Sequence, residues 1–247
     1  MKKFFVLGLL ILVAGCALPF STQLSAERPA DFELEIYEGG GMLDQSTTWS
    51  ITAGQATYTD HYEQRDVVTQ FDLSDAELDV IWDTLRRARF DQIHQSEEHD
   101  VYDRGGTSIW VAYNQESVTK LDAGTTFISG GSADRFYAVR NAVTDLFNER
   151  LATLKQPVSI TVDPTLLPNL QWLYLNGTVI YDVKTQTTLP AVQTLLPGDY
   201  VLAFSVLADD PELDPVYQSL TLTVPDRSIT ATLTGTANAP QVVIQAN

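Results

Sequence analysis

Two stretches of this chain place apolar residues at the three- and four-residue steps of an amphipathic helix. The first begins at Ser74-Asp75-Ala76-Glu77, a capping box in which the serine hydroxyl and the glutamate carboxylate each accept a backbone N–H. It predicts a helix to about Arg89, with acids in its first turns and arginines in its last, as the helix dipole favours. Ser132 predicts the N-cap of a second helix, which reaches about Leu151.

Apolar residues elsewhere in the first half alternate with polar ones, which predicts strands. Residues 32–38 (FELEIYE) are typical of a half-buried strand, and Gly39-Gly40-Gly41 breaks it. Further strands and a hairpin are predicted over residues 47–53, 55–71 and 107–121. Residues 31–155 are therefore expected to form an α+β domain, an antiparallel sheet with both helices packed on one face.

The second half predicts an all-β domain. Gln156-Pro157 ends the helical pattern, and about seven short strands separated by turn signals follow, which is the profile of a β-sandwich. The predicted fold class is therefore the α+β domain followed by an all-β Ig- or prealbumin-like sandwich over residues 156–247. The turn at residues 195–200 (LLPGDY) resembles that of carboxypeptidase-regulatory-like and PEGA-like sandwiches, a resemblance assigned to residues 157–247 that implies no catalytic role.

The first sixteen residues predict a secretion signal. Lys2 and Lys3 precede an apolar run over residues 4–14 that is too short to span a bilayer as a permanent helix. The run ends in Val13-Ala14-Gly15-Cys16, which resembles the lipobox of bacterial lipoproteins. That resemblance implies cleavage between Gly15 and Cys16, and a thioether-linked diacylglycerol on the Cys16 sulfur. The alternatives are an ordinary signal peptide and an uncleaved anchor.

The lipoprotein interpretation also predicts a location. Residues 1–15 are then the signal peptide, and residues 16–30, which carry two prolines and no periodicity, are the lipidated cysteine and a tether. Ala17 replaces the aspartate that favours inner-membrane retention in Gram-negative lipoproteins. We therefore expect the cell envelope, at the outer membrane or the outer face of the cytoplasmic membrane, with the membrane as a partner through the N-terminal lipid.

The chain is strongly acidic, with a formal net charge of −17, or −19 once the two lysines of the signal are removed. Phosphate backbones and anionic lipid headgroups repel such a surface, so we expect no nucleic-acid partner. Cys16 is the only cysteine, so no disulfide is expected and packing must stabilise the fold.

A second resemblance covers residues 31–151. The order of elements is a strand, the Gly39 to Met42 turn, a strand pair, the helix in LSDAELDVIWDTLRRARFDQI, an acidic loop, the hairpin VAYNQESVTKLDAG and a closing helix. This order is similar to the small emfourin-type domain of bacterial metallopeptidase inhibitors, which implies inhibition of a secreted or envelope metallopeptidase. In that family an aromatic residue typically follows the glycine pair, and Met42 departs from this pattern.

One loop carries residue types that bind metals: His94, Glu97, Glu98, His99, Asp100 and Asp103. Imidazoles and carboxylates suit zinc or manganese, but their spacing matches no known motif, so we favour a solvated acidic loop and expect no metal or other cofactor. Ser132 lacks a nucleophile-elbow motif, and Asp122 and Asp134 are expected by chance on an acidic chain. We therefore expect no enzyme.

A binding surface is expected on the open face of the first sheet. If the helices cover one face, alternation must direct some strand aromatics to the other. Trp49 and Tyr58, beside Met42 and the glycine turn, would then form an amphipathic patch for a protein partner, unless the sandwich or the tether packs there. The expected function is a non-enzymatic envelope lipoprotein with a binding α+β module and a supporting β-sandwich. The alternative is a metallopeptidase inhibitor.

Overall fold

The computed structural model describes residues 24–40, 45–98, 104–185, 187–207, 214–236 and 239–247. Within these ranges the chain is mainly β, with sixteen strands against two α-helices of 14 and 25 residues. The strands form one sheet of six strands, two of four and one of two. The predicted class, an α+β domain followed by an all-β sandwich, is therefore wrong, because the described chain is mainly β and its strands form several sheets.

The first half contains both α-helices and eight strands. In chain order these are β1 (Glu33–Gly39), β2 (Gln45–Thr52), β3 (Gln55–Tyr62), β4 (Arg65–Asp72), α1 (Asp75–Ala88), β5 (Ser96–Glu97), β6 (Gly106–Tyr113), β7 (Glu116–Asp122), β8 (Thr126–Phe127) and α2 (Gly130–Leu154). Six of the strands form an antiparallel sheet in the order β4-β3-β2-β1-β6-β7, and β5 pairs with β8.

Helix α1 begins at the capping box that the sequence predicts. The Glu77 backbone N–H donates to Ser74 Oγ at 3.3 Å, and the Ser74 backbone N–H donates to Glu77 Oε2 at 2.8 Å. The Ser74 hydroxyl also donates to Glu77 Oε2, at 2.6 Å, and this hydrogen bond, followed by the one from the Ser74 backbone N–H, lowers the pKa of Glu77. The helix is capped at Arg89, which adopts a left-handed backbone with φ of 46°.

Helix α2 begins before its predicted cap. Ser129 occupies the N-cap position, and its side chain makes no capping hydrogen bond. The hydroxyl of Ser132, which the sequence assigned to the cap, instead accepts the backbone N–H of His94 at 3.2 Å. Ser132 therefore fixes the loop after α1 to the first turn of α2, which is a structural role.

Two arginines of α2 join it to α1. Near the start of α2, Arg135 Nη1 donates to the carbonyl oxygen of Ala88 at the end of α1, at 3.1 Å. Near the end of α2, Arg150 Nη2 donates to the carboxylate of Glu77 at the start of α1, at 2.6 Å. The two helices therefore run antiparallel and are hydrogen-bonded at both ends.

Both helices pack on the same face of the six-stranded sheet. Phe71 of β4 contacts Phe147 of α2 edge to face, with ring centroids 5.2 Å apart, and Trp82 of α1 contacts Tyr113 of β6 at 5.5 Å. Directly paired residues of neighbouring strands share a face. The register therefore assigns a common set of residues to this covered face: Leu34, Ile36, Trp49, Ile51, Tyr58, Phe71, Ile109 and Val111.

A charge network buries a carboxylate between β7 and α2. Asp122 is 6% exposed and accepts hydrogen bonds from Arg104 Nη2 at 2.8 Å and from the Tyr137 hydroxyl. Burial by itself would raise the pKa of Asp122, but the bonds from Tyr137 and Arg104 outweigh it and lower the pKa. The same hydrogen bond to Asp122 raises the pKa of Tyr137 to about 12. The folded protein therefore favours the charged carboxylate.

We expect Asp122→Asn to destabilise the protein at pH 7 and to flatten the fall in stability on acidification. Because the folded-state pKa of Asp122 lies below its unfolded value of about 4, its contribution is present above about pH 4 and is lost as the pH falls through the folded pKa. Urea unfolding at pH 7 and pH 3 measures this difference. Asp134→Asn, at an exposed position of α2, is the control and should unfold like wild type at both pH values. An Asp122→Asn variant with the wild-type pH dependence would contradict the assignment.

The second half contains eight strands in two four-stranded sheets. They are β9 (Gln156–Val162), β10 (Leu170–Leu175), β11 (Thr178–Asp182), β12 (Ala191–Leu195), β13 (Gly198–Val206), β14 (Val216–Val224), β15 (Ile229–Thr236) and β16 (Ala239–Ala246). Their orders are β11-β10-β13-β14 and β12-β9-β15-β16, and β9 pairs with β15 in parallel. Burial alternates along β9 and β15, so each of these strands turns one side to the core.

The two halves contact each other where β13 begins. A side chain at Gly198 would place its Cβ 3.1 Å from Val67 Cγ1 of β4, so glycine permits the close approach. Tyr200 is buried nearby, and its hydroxyl donates to the Leu196 carbonyl oxygen at 3.0 Å. Burial, and after it the charge of Asp60 in β3, raise the pKa of Tyr200. The division of the chain into domains at residues 31–155 and 156–247 stays a prediction.

Residues 24–30, which the sequence assigned to the tether, pack along α1. Leu24 is buried in the core, and Trp82 Nε1 donates to the carbonyl oxygen of Ser25 at 3.0 Å. The packed part of the described chain therefore starts at Leu24. Only residues 17–23 separate it from the predicted lipid-bearing cysteine.

Candidate ligand-binding groove

The outer face of the sheet β11-β10-β13-β14 carries a groove lined by aromatic side chains. The leucines of β10 are buried, so alternation places Trp172 and Tyr174 on the opposite face of that strand. Tyr217 comes from β14, on the other side of β13. Ser205 of β13 pairs in register with both Trp172 and Tyr217. The three rings therefore gather over one short segment of β13, and we call this site the aromatic groove.

The rings of the aromatic groove differ in how firmly they are held. Trp172 packs partly against the core and contacts Tyr174 edge to face, with centroids 4.9 Å apart and planes at 77°. Its centroid lies 5.9 Å from that of Tyr217, and these two planes are tilted by 35°. Tyr217 is 67% exposed. Trp172 is thus the fixed ring of the groove and Tyr217 its accessible ring.

Polar side chains form the rim of the groove, which encloses about 400 Å³. The turn after β11 positions two of them, because the Asp182 carboxylate accepts the backbone N–H of Lys184 at 2.7 Å. Gln171 contributes an amide beside them. No ion pair with the Lys184 ammonium is formed by the residues that the structure describes. The volume lies within the range of about 300–1,000 Å³ that is typical of small-molecule sites.

This arrangement suits binding better than covalent catalysis. Tyrosine and tryptophan rings offer flat apolar faces with polar tips, while a carboxylate, an ammonium and an amide supply acceptors and donors. Nucleophilic catalysis needs a hydroxyl or thiol beside a base that can take its proton. Ser205 is buried under the rings, and none of the described residues that line the groove is a histidine.

The aromatics that the sequence selected for binding lie elsewhere. Trp49 is 7% exposed, and the register places it opposite Ile36 and Tyr58 on the helix-covered face. Tyr58 is half-buried, and burial raises its pKa. The structure therefore does not place Trp49 and Tyr58 on the open face that the sequence predicted, because alternation directs both to the face on which α1 and α2 pack. Met42 lies outside the described residues.

The remaining predicted sites are dispersed or outside the described part of the chain. The predicted cleavage and lipidation residues, Gly15 and Cys16, lie outside the described part of the chain. So do three of the metal-binding candidates: His99, Asp100 and Asp103. The other three candidates are exposed: His94, Glu97 and Glu98. Among the described residues, no group of three or more His, Cys, Asp or Glu side chains is placed to hold a metal ion.

A second cavity, polar and about 280 Å³ in volume, lies at the ends of β1, β2 and β3, where Asn176 of the second half also lines it. One of its acids, Glu38, is already bound by Arg140 Nη2 at 2.8 Å. Burial raises the pKa of the other acid, Asp60, whose carboxylate accepts a hydrogen bond from the Thr47 hydroxyl at 3.4 Å. This cavity is smaller than the aromatic groove, and both of its acids already accept hydrogen bonds from protein groups. The groove is therefore the stronger candidate.

The sequence carried only half of the signal for the groove. Trp172 and Tyr174 are two residues apart in a predicted strand, which puts them on one face. The sequence predicts this strand as part of the sandwich and gives neither ring a binding role. Tyr217 lies far downstream, and its proximity to Trp172 follows from the pairing of β10 and β14 with β13.

None of the helices in the described ranges is both long and apolar enough to cross a membrane. A comparison of the chain with protein-family models and with curated proteins finds no match. The lipobox, emfourin-type and PEGA-like resemblances of the sequence therefore stay predictions.

Proposed function

We propose that this protein is a non-enzymatic lipoprotein of the bacterial cell envelope that binds a ligand in its aromatic groove. The groove is the observation that carries the proposal, because it combines an accessible ring at Tyr217 with a braced ring at Trp172 and a polar rim. The lipobox at Val13 to Cys16 supports the location. Acyl chains on Cys16 would hold the protein firmly when two or more are present.

A short connection to the lipid would keep Leu24, where the described chain begins, near the membrane. Residues 17–23 span at most roughly 25 Å even when fully extended. The acidic body is repelled by anionic headgroups, so the lipid supplies the attachment and the folded part stays free to bind. We therefore expect the ligand to be a component of the cell envelope.

Isolated cell envelopes should bind the purified chain from Ala17 onward, and Tyr217→Ala should raise the Kd of this binding about tenfold or more. Loss of an exposed aromatic anchor typically costs at least the 1.4 kcal/mol that corresponds to a factor of ten. Co-sedimentation with envelopes measures the effect. Tyr37→Ala is the matched control, because Tyr37 is an exposed tyrosine, 40% accessible, on the other sheet. Equal binding by wild type and Tyr217→Ala, or no binding by either, would refute the proposal.

The alternative proposal is inhibition of an envelope or secreted metallopeptidase. It is motivated by the order of elements over residues 31–151, a glycine turn after β1, a strand pair, α1, a hairpin and α2. This alternative does not require the aromatic groove, because the groove lies outside residues 31–151. Stoichiometric inhibition of a thermolysin-like peptidase by wild type and Tyr217→Ala alike would favour this alternative.

A further inference from the structure

We infer that the aromatic groove binds a neutral oligosaccharide of β-linked pyranose units, an inference that rests on the proposed binding function. A pyranose ring with equatorial hydroxyls presents C–H bonds on both faces and hydroxyl groups around its edge. Such a ring is apolar above and below and polar at its border. The groove has the complementary distribution, with aromatic rings over β13 and hydrogen-bonding groups at the rim.

The rings supply the apolar part of this complementarity. Tyr217 is exposed and can be covered by a ligand, whereas Trp172 is held in place by Tyr174 and by the core. The centroids of Trp172 and Tyr217 are 5.9 Å apart and both rings line the same cavity, so one ligand can reach both. Rigid aromatic side chains also lose little conformational entropy on binding.

The rim supplies the polar part. A sugar hydroxyl both donates and accepts hydrogen bonds, so it can donate to the Asp182 carboxylate and accept from the Lys184 ammonium or the Gln171 amide. An acyl chain or an apolar peptide would cover these groups without pairing them. Covering polar groups without replacing their hydrogen bonds to water is costly. The rim therefore favours a hydroxyl-rich ligand over a purely apolar one.

The net charge of the chain argues against a negatively charged saccharide as the ligand. The formal net charge is −17, and it becomes −19 when the two lysines of the signal are removed. A field of this sign disfavours polyanionic glycans, while a neutral chain is not affected. Lys184 is balanced locally by the neighbouring Asp182, so the rim does not form a basic patch. A neutral saccharide fits both the rim and the overall charge.

Aromatic clusters also stabilise sheets without binding anything, and this is the competing explanation. Two observations argue against it as the whole account. Two thirds of the Tyr217 surface is exposed, so this ring buries little apolar area and contributes little to stability. The rings also border a cavity of about 400 Å³, so their contacts with one another leave space for a ligand.

The test is calorimetric titration of the chain from Ala17 onward with cellohexaose and chitohexaose, two soluble β-linked hexasaccharides. Maltohexaose, which is α-linked, and a proline-rich decapeptide are the comparison ligands. We expect at least one β-linked hexasaccharide to bind, and Tyr217→Ala to weaken that binding about tenfold or more. Tyr217→Phe keeps the ring and should retain most of the affinity. Tyr37→Ala should bind like wild type, and thermal melts of all variants report whether each is folded.

The outcomes separate this inference from the proposed function. If no hexasaccharide binds at millimolar concentration while envelope binding still depends on Tyr217, the saccharide inference is refuted and the binding function stands. Binding of the proline-rich peptide alone would refute it in favour of a peptide partner. Saccharide binding that Tyr217→Ala leaves unchanged would refute the assignment to this groove. If neither envelopes nor saccharides bind the chain, both proposals fall.

Discussion

Replacing Trp49 with alanine should lower the free energy of unfolding by about 3–5 kcal/mol, the usual cost of deleting a buried aromatic side chain. Trp49 belongs to the hydrophobic core and contacts Tyr58 edge to face, with ring centroids 6.1 Å apart. In a protein of this size each kcal/mol shifts the melting temperature by about 2–4 °C, so we expect Tm to fall by roughly 10 °C. Urea unfolding and thermal melts of the chain from Ala17 onward measure both quantities.

The matched variant is Trp49→Phe, which separates the ring from its polar atom. Trp49 Nε1 is buried and has no hydrogen-bond partner among the residues that the structure describes. An unpaired buried donor costs about 1–3 kcal/mol, and phenylalanine removes it while it keeps most of the apolar surface. We therefore expect Trp49→Phe to cost less than about 1.5 kcal/mol.

The opposite result for alanine would identify a different role for Trp49. A Trp49→Ala variant that melts like wild type but loses a captured partner would behave as an interface anchor. That outcome would contradict the burial of Trp49 in the core. It would also restore the binding surface that alternation alone predicts for this part of the sheet.

Helix α1 could be predicted from sequence because its determinants are local. Ser74 and Glu77 are three residues apart, and their hydrogen bonds form whatever the rest of the chain does. The face to which Trp49 turns is a different kind of question. Alternation divides the residues of β2 between two faces, but the arrival of α2 on one of them depends on contacts with distant residues such as Phe71.

The fold class and the groove could not be predicted for the same physical reason. Both depend on which strands pair, and pairing joins residues that are far apart in sequence. Gly198 approaches Val67 across the predicted boundary between the halves, a contact that no local pattern in the sequence indicates. Trp172 and Tyr217 meet only because β10 and β14 flank β13. Alternation tells which residues of a strand share a face, but it does not tell which strands lie next to one another in the sheet.

Replacing Cys16 with serine should abolish lipidation and change where the protein is found. Serine keeps the size and polarity of the side chain but cannot form the thioether that the lipobox implies. Each buried methylene contributes about 0.8 kcal/mol to membrane binding, so losing whole acyl chains removes firm anchoring. We expect the Cys16→Ser protein to carry no acyl mass, and to be either released to the soluble fraction or retained uncleaved with its signal. Fractionation of bacteria that express the full chain, followed by mass spectrometry of the N-terminus, distinguishes these forms.

Ser21→Ala is the control for this experiment, because it changes a single hydroxyl close to Cys16 and leaves Val13 to Cys16 intact. It should be lipidated and recovered in the membrane fraction like wild type. The Cys16→Ser protein should still fold, since the packed part of the described chain starts at Leu24. Its groove variants should therefore bind isolated envelopes in the same order as those of the unlipidated wild-type chain. A wild-type protein whose mature N-terminus lies at another residue and carries no acyl mass would refute the anchor, and would place the groove free of the membrane.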